Sequence, residues 1–74
     1  MSEEINSREL FSKNLGRLRR EAKFTQKSLA DKAGLTHNYI NELEHTKKGF
    51  SLTTLDKLSK ALNVEPMEFF INLY

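Results

Sequence analysis

Apolar residues recur along this chain at helical spacings, and nowhere do they alternate with period two for long enough to suggest a sheet. Phe11, Leu15, Leu18 and Ala22 follow the i, i+4, i+7, i+11 pattern of one buried stripe, with Lys13, Arg17 and Arg20 off it. Asn6 can cap this run, and Glu9 three residues on is the return partner of a capping box. The first helix is therefore predicted over about Ser7 to Ala22, with Phe24 anchoring the turn that follows.

Thr25 has the chemistry of an N-cap for a second, short helix over about Gln26 to Ala33, with Leu29 and Ala30 facing inward. Gly34 ends it, because glycine tolerates the left-handed conformation of a tight helix end. Leu35 plugs the turn, and Thr36 caps a third helix over about His37 to His45 whose buried side is Ile40 and Leu43. Two short helices joined by a three- or four-residue turn containing glycine form the helix-turn-helix signature. A polar loop, Thr46 to Phe50, leads to Ser51. That residue caps a fourth helix over about Leu52 to Leu62, with Leu55, Leu58 and Leu62 inward and Asn63 as its stop. Pro66 suits the first turn of a fifth helix, predicted to about Leu73. That last stretch is strongly apolar, with Met67, Phe69, Phe70, Ile71, Leu73 and Tyr74. The expectation is a single all-α domain of five helices over residues 1–74, with residues 1–6 as a flexible tail.

Composition narrows the chemistry. The chain has 74 residues, enough for one core, and no cysteine, so disulfides and thiolate metal sites are excluded. No apolar run approaches the roughly 20 residues of a membrane span, and the opening Met1-Ser2-Glu3-Glu4 is unlike a secretion signal. A cytoplasmic protein without a membrane partner is expected. The net charge of +2 says little, but its distribution says more. Arg8, Lys13, Arg17, Arg19, Arg20, Lys23 and Lys27 face only Glu9 and Glu21 in the same stretch. Lys47 and Lys48 form a second basic point, and the region after Gly49 leans acidic. Segregation of this kind suits a molecule with one side turned to nucleic acid, although solvated helix faces give the same pattern.

The stretch from Thr25-Gln26 through Leu29-Ala30, Ala33-Gly34-Leu35-Thr36, Tyr39-Ile40 and Leu43-Glu44 resembles the phage repressor/Cro-like (XRE) helix-turn-helix family. The likeness continues through Ser51-Leu52-Thr53-Thr54-Leu55 and Ala61-Leu62-Asn63-Val64, and so covers about residues 8 to 70. Thr46 stands where the family usually has glycine, and Phe50 where many members have proline. The resemblance implies a lambda-repressor-like fold and a transcriptional regulator that binds double-stranded DNA as a homodimer at a near-palindromic operator. The short length, apolar last helix and non-proline loop are also similar to the controller proteins of restriction–modification systems, and equally suit phage-type or chromosomal repressors.

In the geometry the family implies, the third helix enters the major groove and the second crosses the backbone. Thr36, His37, Asn38, Asn41 and Glu42 are then the candidate base readers. Asn38 can pair bidentately with adenine, and Glu42 can accept from a cytosine amine. Gln26, Lys27, Tyr39, Lys47, Lys48, Asn14 and Arg17 are candidate phosphate contacts, which supply affinity and register. Arg19 and Glu44 match an ion pair that bridges the first helix to the end of the third. Phe70, Leu73 and Tyr74 are the candidate dimer contact, since exposed apolar patches mark interfaces.

Two rival classes compete with this reading. Glu42 and His45 are spaced like one half of a di-iron motif, but such a site needs a second pair and two further glutamates, and His37 is the only other histidine. No catalytic residue, metal site or small-molecule cofactor is implied. The alternative is a protein-interaction or antitoxin-like module on the same fold. The polar side chains at Thr36, His37, Asn38 and Asn41 argue against it, because an interaction face more often carries apolar anchors. RNA polymerase is a candidate further partner if the protein activates transcription. No residue identifies that contact.

Overall fold

Each α-helix in this molecule starts at a side-chain cap and stops at a residue in left-handed conformation. The computed structural model describes residues 6–73. The tail expected at residues 1–6 thus lies, but for Asn6, outside the described residues, as does Tyr74. The helices are α1 (Ser7–Glu21), α2 (Gln26–Ala33), α3 (His37–Glu44) and α4 (Leu52–Leu62), followed by a 3₁₀ segment, Pro66–Phe70.

Asn6 Oδ1 accepts from the Glu9 N–H at 2.9 Å, and the Glu9 carboxylate accepts from the Asn6 N–H at 3.3 Å. Thr25 and Ser28 make a second reciprocal box at the start of α2, with serine in the place usually held by glutamate. Thr36 and Ser51 cap α3 and α4 through the N–H groups of Tyr39 and Thr54. At the other ends, Lys23, Gly34, Thr46 and Asn63 have φ of 65°, 72°, 58° and 57°. In each case the next N–H reaches back to the carbonyl five residues earlier. These bonds run from Phe24 to Arg19, Leu35 to Ala30, Lys47 to Glu42 and Val64 to Ser59, at 2.9–3.0 Å. This is the Schellman closure, and its usual apolar partner is present in Phe24, Leu35 and Val64, all packed on the core. Glycine and asparagine adopt the left-handed conformation readily. Lys23 and Thr46 do so against a penalty of about 1–2 kcal/mol each.

The stripe on α1 is buried as predicted at Phe11, Leu15 and Leu18, whereas Ala22 falls on the C-cap and is exposed. Leu29, Ala30 and Ala33 of α2, Ile40 and Leu43 of α3, and Leu55, Leu58, Ala61 and Leu62 of α4 complete the core with Phe69. α2 packs between α3 and α4, while α1 covers α3 and the 3₁₀ segment.

A fifth α-helix does not form among the described residues. From Pro66 the chain makes five residues of 3₁₀ helix and then runs extended at Ile71. The reason lies in Asn14, whose side chain is completely buried. Its Nδ2 donates to the carbonyls of Phe69 at 2.9 Å and Ile71 at 2.8 Å. Those acceptors are thereby satisfied without a helical continuation. Arg17 holds the other side of the amide, donating from Nε and Nη2 to Asn14 Oδ1 at 3.2 and 3.0 Å. Phe69 is fully buried, and Phe50 stacks on Phe11 with ring centroids 4.0 Å apart. Phe70 closes the aromatic group at 5.8 Å from Phe50 and 6.2 Å from Phe11. A loop proline could not make this stack, which accounts for phenylalanine at position 50.

Candidate nucleic-acid interface

The three-residue connection Gly34–Thr36 sets α3 across α2 with its first turn facing outward. Thr36, His37 and Asn38 are exposed, and Asn41 and Glu42 are half-buried one turn further along. Gln26, His37, Asn38 and Asn41 line one shallow, open depression between the starts of the two helices. Polar groups of both hydrogen-bonding signs converge there, as reading base edges requires.

Behind this depression lies a chain of polar contacts that fixes α3. Arg19 grips Glu44 in a fork, Nε to Oε2 at 2.6 Å and Nη2 to Oε1 at 3.1 Å, while its Nη1 donates to the carbonyl of Phe24. The two side chains are only 14% and 9% exposed, so water screens the pair weakly. Glu44 also accepts from Gln26 Nε2 at 3.1 Å, and Gln26 Oε1 meets His37 Nε2 at 3.3 Å. Gly16 of α1 lies beside the Arg20 and Glu44 side chains. A Cβ there would stand 3.1 Å from Arg20 Nη1 and 3.6 Å from Glu44 Oε1.

This geometry has relatives. A helix-turn-helix family profile matches residues 15–69. An uncharacterized HTH-type transcriptional regulator of Sinorhizobium fredii is 33% identical over 64 residues, 86% of this chain and 83% of its own length. The control protein C.BamHI of Bacillus amyloliquefaciens is also 33% identical over 64 residues, 85% of this chain and 79% of its own. The crystal structure of the restriction-modification controller protein C.AhdI from Aeromonas hydrophila superposes with a TM-score of 0.82 at 33% identity. That match covers 85% of this chain and 96% of the controller. The chain belongs to the helix-turn-helix family of DNA-binding transcriptional regulators.

Within this helix-turn-helix regulator the other sequence-predicted residues separate into groups. Lys47 and Lys48 are exposed in the loop after α3, with Lys48 Nζ 3.9 Å from Glu42 Oε1. Lys27 is exposed on α2 and pairs with Asp31 at 3.3 Å. Two expected phosphate contacts are turned elsewhere. Asn14 is buried against the C-terminal segment, and Arg17 is tied to Asn14 and to Glu21 at 3.2 Å. Neither lines the depression at the start of α3. Tyr39 is half-buried against the core, its hydroxyl 3.2 Å from that of Thr54, and so links α3 to α4. Phe70 is part of the aromatic group rather than of an exposed patch. Among the described residues the large apolar side chains that do stand in solvent are Leu73, Met67 and Leu52. Among the described residues no His, Cys, Asp or Glu group could hold a metal, and no helix is long and apolar enough to cross a membrane.

Sequence reasoning missed the bridge from Glu44 through Gln26 to His37. Its donors and acceptors sit 18 and 11 residues apart and meet only once the turn has formed. The signal available was the placement of Gln26 and His37 at the first positions of successive helices.

Proposed function

We propose that this regulator binds a near-palindromic operator in cytoplasmic DNA as a homodimer, with α3 in the major groove. The control of a restriction–modification operon is the setting its relatives suggest. The observation that carries this reading is the outward polar edge of α3, held from behind by a nearly buried ion pair. Asn38 is the principal base reader, with His37, Asn41 and Glu42 beside it and Thr36 at the helix start. Lys47, Lys48, Lys27 and the N-terminus of α2 at Gln26 clamp phosphates. The exposed Leu73 and Met67 near the chain's end supply apolar area for a partner copy. A two-fold axis would set the recognition helices about 34–36 Å apart, one turn of duplex.

Gel-shift titration on the DNA flanking its own gene tests this. If a dimer neutralises roughly eight phosphates, log K should fall against log salt with a slope near −7. Binding that ignores salt would reject DNA as the ligand and leave the protein-interaction module in its place.

A further inference from the structure

The contacts between α2 and α3 decide which ring nitrogen of His37 carries a proton. Ionised Glu44 can only accept, and Arg19 already donates to both of its oxygens. The Gln26 atom 3.1 Å from Glu44 Oε1 must therefore be the amide nitrogen. That leaves the amide oxygen facing His37 Nε2 at 3.3 Å. An amide oxygen has no proton to give, so Nε2 supplies it. In a neutral imidazole one nitrogen donates and the other accepts, and the hydrogen bond made by one fixes the role of the other. Nδ1 is then a bare acceptor. His37 is exposed, and its hydrogen bond among the described residues is the one through Nε2, which leaves Nδ1 open to a ligand.

We propose that neutral His37 reads DNA as an acceptor, its Nδ1 receiving a hydrogen bond from an exocyclic amine, adenine N6 or cytosine N4, at the major-groove edge. Arg19, Glu44 and Gln26 are the positioning residues that set this polarity: Arg19 and Gln26 both donate to the Glu44 carboxylate, which turns the Gln26 amide oxygen towards His37. The proposal rests on the DNA-reading role of α3 given above and adds the chemical group that one residue recognises. An unconstrained histidine could serve either a donor or an acceptor on the base. Here the donor choice is already used inside the protein.

Two measurements test it. In the free protein, at a pH where the ring is neutral, a long-range proton–nitrogen NMR spectrum reports the tautomer directly. The Nε2–H form is expected for His37, with a mixture of both forms in Gln26→Leu. Nδ1–H, or a mixture in the unaltered protein, overturns the proposal without reference to DNA. On DNA, the base pair addressed by His37 is the one whose preference disappears in His37→Ala. Replacing its adenine by purine, or its cytosine by pyrimidin-2-one, removes only the amine. The unaltered protein should then lose about three- to tenfold in affinity, the size of one neutral hydrogen bond, while His37→Ala should not respond. Indifference to the missing amine, with a loss on 7-deaza substitution of the purine in that pair, overturns the assigned polarity. A protein with no sequence preference at all removes the regulatory reading and this inference with it, even if the Nε2–H tautomer is found.

Discussion

The molecule holds α3 and its C-terminal segment by different means. At α3 the fastening is ionic and partly open to water: Arg19, Glu44 and Gln26 in series, ending on an exposed His37. At the C-terminal segment it is a sealed amide, Asn14, steadied by Arg17, with the rings of Phe11, Phe50, Phe69 and Phe70 around it. The first transmits any change straight to the polar edge of α3. The second ties α1 to the C-terminal segment, so its disruption is expected to loosen the fold and to spare the edge of α3.

Removing one partner from the ionic fastening tests the contrast most severely. Glu44→Ala leaves the Arg19 guanidinium nearly buried without its counter-charge, and a loss of about 3–5 kcal/mol in unfolding free energy is expected by chemical denaturation. DNA affinity of whatever remains folded should fall as well, because Gln26 and His37 lose their anchor. Asn14→Ala strips two carbonyls of their donor in the sealed region. Here about 2–4 kcal/mol of stability should be lost, with the sequence preference of the folded fraction unchanged. A shift in preferred operator would merge the two regions into one. Asn38→Ala works the opposite way: melting should be unaffected, while affinity for the best operator drops by about 1–3 kcal/mol and discrimination relaxes. Equal loss on random DNA would contradict the readout role.

Much of this contrast was legible in the chain. Caps at Asn6, Thr25, Thr36 and Ser51 and the stops at Gly34 and Asn63 follow from local hydrogen-bonding chemistry, which depends on residues three to five apart. The buried stripes of α1 to α4 follow from helical period. The Arg19–Glu44 pair was legible only through family resemblance, since its partners lie 25 residues apart. The C-terminal segment was misread for a physical reason. Its apolar density and Pro66 fit an α-helix, and nothing local announces that Asn14, 55 residues earlier, takes the Phe69 carbonyl. Asn14 itself is a candidate phosphate contact by family geometry, and its complete burial removes it from any such role.

The smallest expected effect concerns the loop between these regions. Thr46 occupies a left-handed conformation at φ 58°, which favours glycine. Thr46→Gly should stabilise the fold by about 1 kcal/mol, read as a raised denaturation midpoint. A destabilised variant would mean that the Thr46 hydroxyl, which donates to the His45 carbonyl at 2.6 Å, matters more than the backbone strain.

Selection of bound duplexes from a random-sequence pool, run in parallel on the unaltered chain and on Asn38→Ala, bears most directly on whether α3 is the reading element. The expected result is a near-palindromic consensus for the unaltered chain and, for the variant, a loss of preference confined to the matching positions of the two half-sites. An identical consensus from both proteins, or none from either, would contradict the assignment of that helix to the groove.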